Sequence, residues 1–107
     1  MSPLISEQLA RITKTIVDQF QPEKVVLFGS QAEGTATSGS DIDLFVVKKT
    51  SKRPHERELE LRKMLFGHRF PAMDLLVYTP EEVAERERRH DFFIEDIFAH
   101  GKVLYAK

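Results

Sequence analysis

Cysteine is absent from the chain, which excludes a disulfide framework, a thiolate metal site and a cysteine nucleophile. No apolar stretch approaches the ~18 residues of a membrane span, and the N-terminus lacks the layout of a signal peptide. Charge of one sign is missing too. A formal net charge of −1 gives no global pull toward nucleic acid or an anionic membrane, so no direct nucleic acid binding and no membrane attachment are expected. There is no repeat, linker or low-complexity segment. These absences leave a cytoplasmic protein with a single domain over residues 1–107. At 41% hydrophobic and 31% charged it has the make-up of a globular chain with a modest core.

What is present is concentrated between residues 25 and 47. Val25-Val26-Leu27-Phe28 has the length and β-branched content of a buried strand, and it stops at Gly29-Ser30. Leu44 to Val47 is a second such run, and Asp41-Ile42-Asp43 leads into it. The linker between them is dense in Gly, Ser and Thr. It can bring bare backbone N–H groups and hydroxyls close to a phosphate chain. Side chains alternate along a strand, so Asp41 and Asp43 are expected on one face, ~7 Å apart at Cα, with Ile42 and Leu44 on the other. Paired acids of this kind suit hard cations such as Mg2+. Two metals ~4 Å apart are the standard device for in-line displacement at phosphorus. A lone Asp-x-Asp is more often a turn residue followed by an exposed strand position; its setting between Gly-Ser and an apolar strand makes it more specific.

The remaining pattern supplies a scaffold. Ser2-Pro3 reads as an N-cap and first helical position. Ile5, Leu9, Ile12, Ile16, Val17 and Phe20 then form one apolar stripe, opposite Glu7, Gln8, Arg11, Lys14 and Asp18. Gln21-Pro22-Glu23 ends that helix before a first strand over residues 24–28. A short helix is expected over residues 30–36, a second strand over 41–47, and a solvated lysine-rich turn over 48–52. Residues 53–66 have helical spacing, with Leu61, Met64 and Leu65 inward. Arg57, Arg62 and Lys63 mix there with Glu56, Glu58 and Glu60 on what reads as a salt-bridged, solvated face. Gly67 to Pro71 breaks the helix, and His68 reads as an exposed loop residue.

Residues 72–78 form a third strand, and an acid within it, Asp74, is costly unless paired, hydrogen-bonded or on metal. Alternation puts Asp74 on a face with Leu76. If this strand lies beside the second, Asp74 completes a triad with Asp41 and Asp43. Thr79-Pro80-Glu81-Glu82 is a capping box. A change of direction is expected near His90-Asp91. The cluster Phe92, Phe93, Ile94, Ile97 and Phe98 then covers more than one helical stripe, so at least one phenylalanine should lie outside the core, as a partner surface. Gly101 ends the helix before a last edge strand over residues 102–105.

Gly29-Ser30, Gly34, Ser40-Asp41-Ile42-Asp43-Leu44, Asp74 and the closing Gly101 to Tyr105 together resemble the nucleotidyltransferases of the DNA polymerase β superfamily. Within it they are similar to the minimal nucleotidyltransferases that partner HEPN-domain toxins. The resemblance implies the α/β (α+β) nucleotidyltransferase fold, with a small mixed or antiparallel sheet backed by helices; periodicity alone also allows a parallel α/β sandwich. It implies transfer of AMP from ATP to a hydroxyl, a tyrosine of a HEPN toxin, by a type VII-like antitoxin. Asp41, Asp43 and Asp74 would be catalytic and hold two Mg2+ ions, and Gly29, Ser30 and Ser40 would bind the nucleotide. Many relatives carry Arg where this chain has Gln31 and Glu33, so the resemblance brings no basic phosphate contact from this loop. The C-terminal helical region would meet the toxin or another copy of the chain. Two other readings fit the same residues: an antitoxin acting by docking alone, and a small-molecule enzyme like the aminoglycoside-modifying ones, completed by a partner subunit.

Overall fold

A computed structural model describes residues 3–36 and 41–107; the cap expected at Ser2 and the nucleotide contact expected at Ser40 lie outside them. The elements run α1 Pro3–Phe20, β1 Lys24–Phe28, α2 Ser30–Glu33, β2 Ile42–Val47, α3 Pro54–Leu65, β3 Met73–Tyr78, α4 Pro80–Arg88, α5 Phe92–His100 and β4 Lys102–Ala106. The sheet order is β3-β2-β1-β4. β1 is antiparallel to β2 and to β4, while β2 and β3 are parallel. The sheet is therefore mixed, as the nucleotidyltransferase fold requires, and the parallel sandwich is excluded.

Strand alternation splits the core in two. Val25 and Leu27 of β1, with Ile42, Leu44 and Val46 of β2, face Leu9, Ile12 and Ile16 of α1 and Leu61 and Leu65 of α3. Val26, Phe45 and Val47 face Val83 of α4 and Ile94 and Ile97 of α5. Burying both faces of β1 and β2 explains why those strands read as unbroken apolar runs. Among the described residues no helix is long and apolar enough to cross a membrane.

Helix ends follow local chemistry. α1 stops where Gln21 turns left-handed (φ 53°) before Pro22. The Lys48 ammonium donates to the last α1 carbonyl, Phe20 O, and stands over the Phe20 ring. Lys48 is thus a helix cap and not part of a solvated turn. The capping box forms as expected: the Glu82 N–H donates to Thr79 Oγ1, and the Thr79 N–H to Glu82 Oε1. α4 and α5 part at His90 (φ 55°), with Asp91 capping α5 through Ile94 N–H.

Arg57 corrects a second expectation. It leaves the solvated face of α3 and is 6% exposed. Its Nε donates to Lys52 O, its Nη1 to Val77 O, and both terminal nitrogens to the Glu82 carboxylate. Ile42 N–H donates to Ala72 O, so even-numbered β3 residues face β2 and odd-numbered carbonyls point outward. Arg57 takes the Val77 carbonyl, and Arg62 takes that of Met73. Two α3 arginines thereby blunt this sheet edge against pairing.

Candidate active site

The site is built where β1 ends and β2 and β3 begin. β1 runs into Gly29, whose φ of 74° and ψ of −157° lie in a region essentially reserved for glycine. Gly29 O then accepts from the N–H groups of Ala32 and Glu33, winding the single turn of α2. That helix is shorter than expected, because Gly34 turns left-handed (φ 77°) and closes it on Ser30 O. The left-handed turn costs glycine little. Ser30, half-buried, is the first residue of α2.

The unusual Gly29 backbone has a steric reason. A Cβ built on Gly29 would stand 2.2 Å from Asp43 Oδ2, so the loop backbone lies directly against the carboxylate. Asp43 pairs with Phe28 across β1 and with Asp74 across β3. The expected neighbour of the second strand is therefore realised, in register, and the two acids sit side by side at the same level of the sheet. Asp41 is exposed and precedes β2, which starts one residue later than expected.

The carboxylates interact. Burial first, then the Asp74 charge and a hydrogen bond with Asp74, and lastly the Asp41 charge, raise the Asp43 carboxyl above its usual range. Asp43 is thus costly to ionise beside its neighbours, a cost that a bound cation would offset. The structure thus gathers Asp43 and Asp74 and leaves Asp41 at the mouth, within electrostatic reach. Among the described residues no group of three His, Cys, Asp or Glu side chains is arranged to hold a metal ion. The donor set is all oxygen, and its mutual repulsion is what a hard cation relieves, so the residues fit Mg2+ in chemistry.

Lys48 and Arg57 serve the scaffold instead of the acids. Lys48 lies five residues beyond Asp43 along β2, roughly 16 Å away at the strand rise, and Arg57 is held by Glu82. Gln31 is buried and Glu33 exposed, so the loop presents no positive side chain. Aromatic neighbours were not visible in the sequence pattern: Phe28 shares the Asp43 face, and Phe93 of α5 meets it edge-to-face. Only the cross-strand register, which is non-local, could have shown that.

Gly29→Ala tests this construction. The side chain forces either a Gly-only backbone or displacement of the Asp43 carboxylate, so a stability loss of about 2 kcal/mol is expected. The Tm should fall, and Asp43 should no longer couple to Asp74 in an NMR carboxyl titration. An unchanged titration would show that the loop does not fix the acid.

The family described as polymerase beta, nucleotidyltransferase matches residues 10–107. No curated protein is significantly similar in sequence. Among solved structures, the chain is similar to a candidate nucleotidyltransferase from Sulfolobus solfataricus, with a TM-score of 0.65, 20% identity, and 94% of this chain and 79% of that one covered. It is also similar to a toxin–antitoxin structure with AMP-PNP, at TM-score 0.68 and 22% identity, over 92% of this chain and 73% of that one. A mutant of the toxin–antitoxin MntA-HpeT gives a TM-score of 0.65 at 21% identity, with the same coverage. At these identities the likeness is one of fold.

Proposed function

Because the chain belongs to the polymerase β nucleotidyltransferase family, we propose that it transfers AMP from ATP to a tyrosine hydroxyl of a HEPN-domain toxin, as an antitoxin. The observation that carries the reading is the in-register pair Asp43 and Asp74 under the Gly29 backbone. In the reaction the acceptor oxygen bonds to the α-phosphorus, the α–β phosphoanhydride bond breaks, and pyrophosphate leaves. Asp74, at the open edge of the acid row, orients the hydroxyl and takes up its proton. Gly29 and Ser30 receive the leaving phosphates through backbone N–H and hydroxyl, and Ser40 adds a second hydroxyl. Asp41, Asp43 and Asp74 would hold Mg2+, two ions in all, and when bound these supply the charge neutralisation that phosphoryl-type transfer depends on.

A partner is needed because the acid row is open to solvent and the loop has no cation of its own. Phe92 is 89% exposed, with Arg88 and Arg89 shortly before it in sequence and Glu95 and Asp96 one helical turn on, a composition suited to an interface anchor. It stands at the start of α5, next to the residue that packs on Phe28, so a protein docked there reaches the acids. The toxin neighbours among the solved structures support that choice of partner. Another copy of the chain is the competing occupant.

The test is one incubation with the toxin, Mg2+ and ATP labelled at either the α- or the γ-phosphate. Label should enter the toxin from the α position only, and EDTA should stop it. Label from the γ position would make the protein a kinase. No labelling, with toxin activity still suppressed in the complex, would establish neutralisation by docking alone.

A further inference from the structure

The aromatic rings beside the acids have different surroundings. Phe45 packs against Tyr78 and Phe98, and those two rings lie under the Arg86 guanidinium and the Lys24 ammonium. Phe93 differs. It meets Phe28 with ring centroids 5.9 Å apart and planes at 89°. In an edge-to-face pair, whichever ring stands on its edge, Phe93 keeps at least one face clear of Phe28. Phe93 is 43% exposed.

Its position relative to the acids follows from register. Asp74, Asp43 and Phe28 are successive cross-strand partners, and such partners put their side chains on one face, with Cβ atoms ~5 Å apart. A cross-strand step of ~5 Å from Asp43 to Phe28 and the 5.9 Å ring separation together keep Phe93 within roughly 10 Å of the Asp43 side chain. That is a span filled by an α-phosphate and a ribose. Its partner Phe28 immediately precedes Gly29, where the phosphate-binding loop starts.

We infer that Phe93 is the stacking platform for the base of the donor nucleotide, with Phe28 bracing it from beneath. The inference rests on the transfer reading above, since it takes the phosphates to lie between Gly29-Ser30 and the acids. A phenyl face offers no donor or acceptor, so it favours a planar base over none and discriminates poorly between bases. Phe92, facing outward on the same helical turn, stays free for the partner.

The experiment measures binding of ATP and of inorganic tripolyphosphate, both with Mg2+, to the wild type and to Phe93→Ala, Phe93→Leu and Phe93→Trp. Phe93→Ala should weaken ATP binding roughly tenfold or more and leave tripolyphosphate unchanged. Phe93→Leu keeps apolar packing on Phe28 and guards against a folding defect; it should lose ATP as Phe93→Ala does, while Phe93→Trp retains it. Unchanged ATP binding in Phe93→Ala and Phe93→Leu, or an equal loss for both ligands, overturns the stacking role. A wild type that binds tripolyphosphate as tightly as ATP overturns it as well, with the transfer reading intact. A wild type that binds neither overturns the transfer reading, and the stack with it.

Discussion

Asp43→Asn is expected to lower nucleotidyl transfer by roughly 10²–10³-fold or more, the scale of losing one preorganised electrostatic partner at a phosphoryl-type centre, without lowering the melting temperature at neutral pH. The second half of that expectation is the sharper one. Asp43 is raised above 3.8 mainly by burial and then by Asp74, so the folded state binds its proton more tightly than the unfolded chain does. The sign follows from linkage: between the unfolded pKa and the higher folded one, the folded state holds more protons, and stability falls as pH rises. Above the folded value the ionised acid is a standing cost of the fold. Asn carries no charge and pays none of it. The difference in Tm between variant and wild type should therefore be near zero well below pH 3.8 and grow in favour of the variant as pH climbs through the raised value. Mg2+ should narrow that gap by stabilising the wild type alone, through preferential binding to its folded state. Wild-type turnover in Asp43→Asn would remove the residue from the machinery. A lower Tm at pH 7 would mean the carboxylate serves the fold.

The site was legible to the extent that it is local. Gly29-Ser30 and Asp41-Ile42-Asp43 lie within one strand–loop–strand passage, where alternation and turn chemistry are set by adjacent residues. Asp74 stood out because an acid in an apolar strand needs a reason. That it would sit in register with Asp43 on a parallel neighbour was not readable, because strand pairing is decided by the packing of α3 between them and not by either strand. The same limit applies to Phe28 and Phe93, which are far apart in sequence and meet only because α5 returns over β1. The turn at His90 and the surplus of phenylalanines were legible, since a helix buries a limited arc; Phe92 lies outside the core and Phe93 lies partly so.

Lysine and arginine were misread for a common reason. Composition suggests that a charge among other charges is solvated, yet Lys48 caps α1 and Arg57 is buried. Both have long apolar stems that carry the charge to backbone carbonyls left over at a helix end or along a sheet edge. Those carbonyls are 28 residues away for Lys48 and 20 for Arg57. No window along the chain contains both ends of such a contact.

Arg57 is where the largest loss of stability is expected. Its guanidinium holds the loop before α3, the outer edge of β3 and the first turn of α4 in one place, through Lys52 O at 2.7 Å, Val77 O at 3.2 Å and Glu82 Oε1 at 2.8 Å. The side chain is 7% exposed, whereas that of Glu82 is 40% exposed. Arg57→Met keeps much of the stem but leaves the Val77 carbonyl buried without a donor, and a loss of about 3 kcal/mol is expected, at the lower end of the range for broken buried pairs because Glu82 can turn to water. For a chain of this length that is a drop of roughly 15 °C in Tm. Glu82→Gln should cost only about 1 kcal/mol, since an exposed partner gives less and Gln still accepts from the guanidinium. The pH dependence separates the two halves of the pair. The Arg57 hydrogen bond holds Glu82 below its ordinary 4.5, so its contribution is present above that value and is lost as pH falls through the lower folded one. Arg57→Met should flatten that acid limb. Neither residue touches the acid row, so transfer measured well below Tm should survive in Arg57→Met while it fails in Asp43→Asn. An unchanged Tm in Arg57→Met would mean that the α3–β3–α4 junction is held by apolar packing alone, with the guanidinium a passenger.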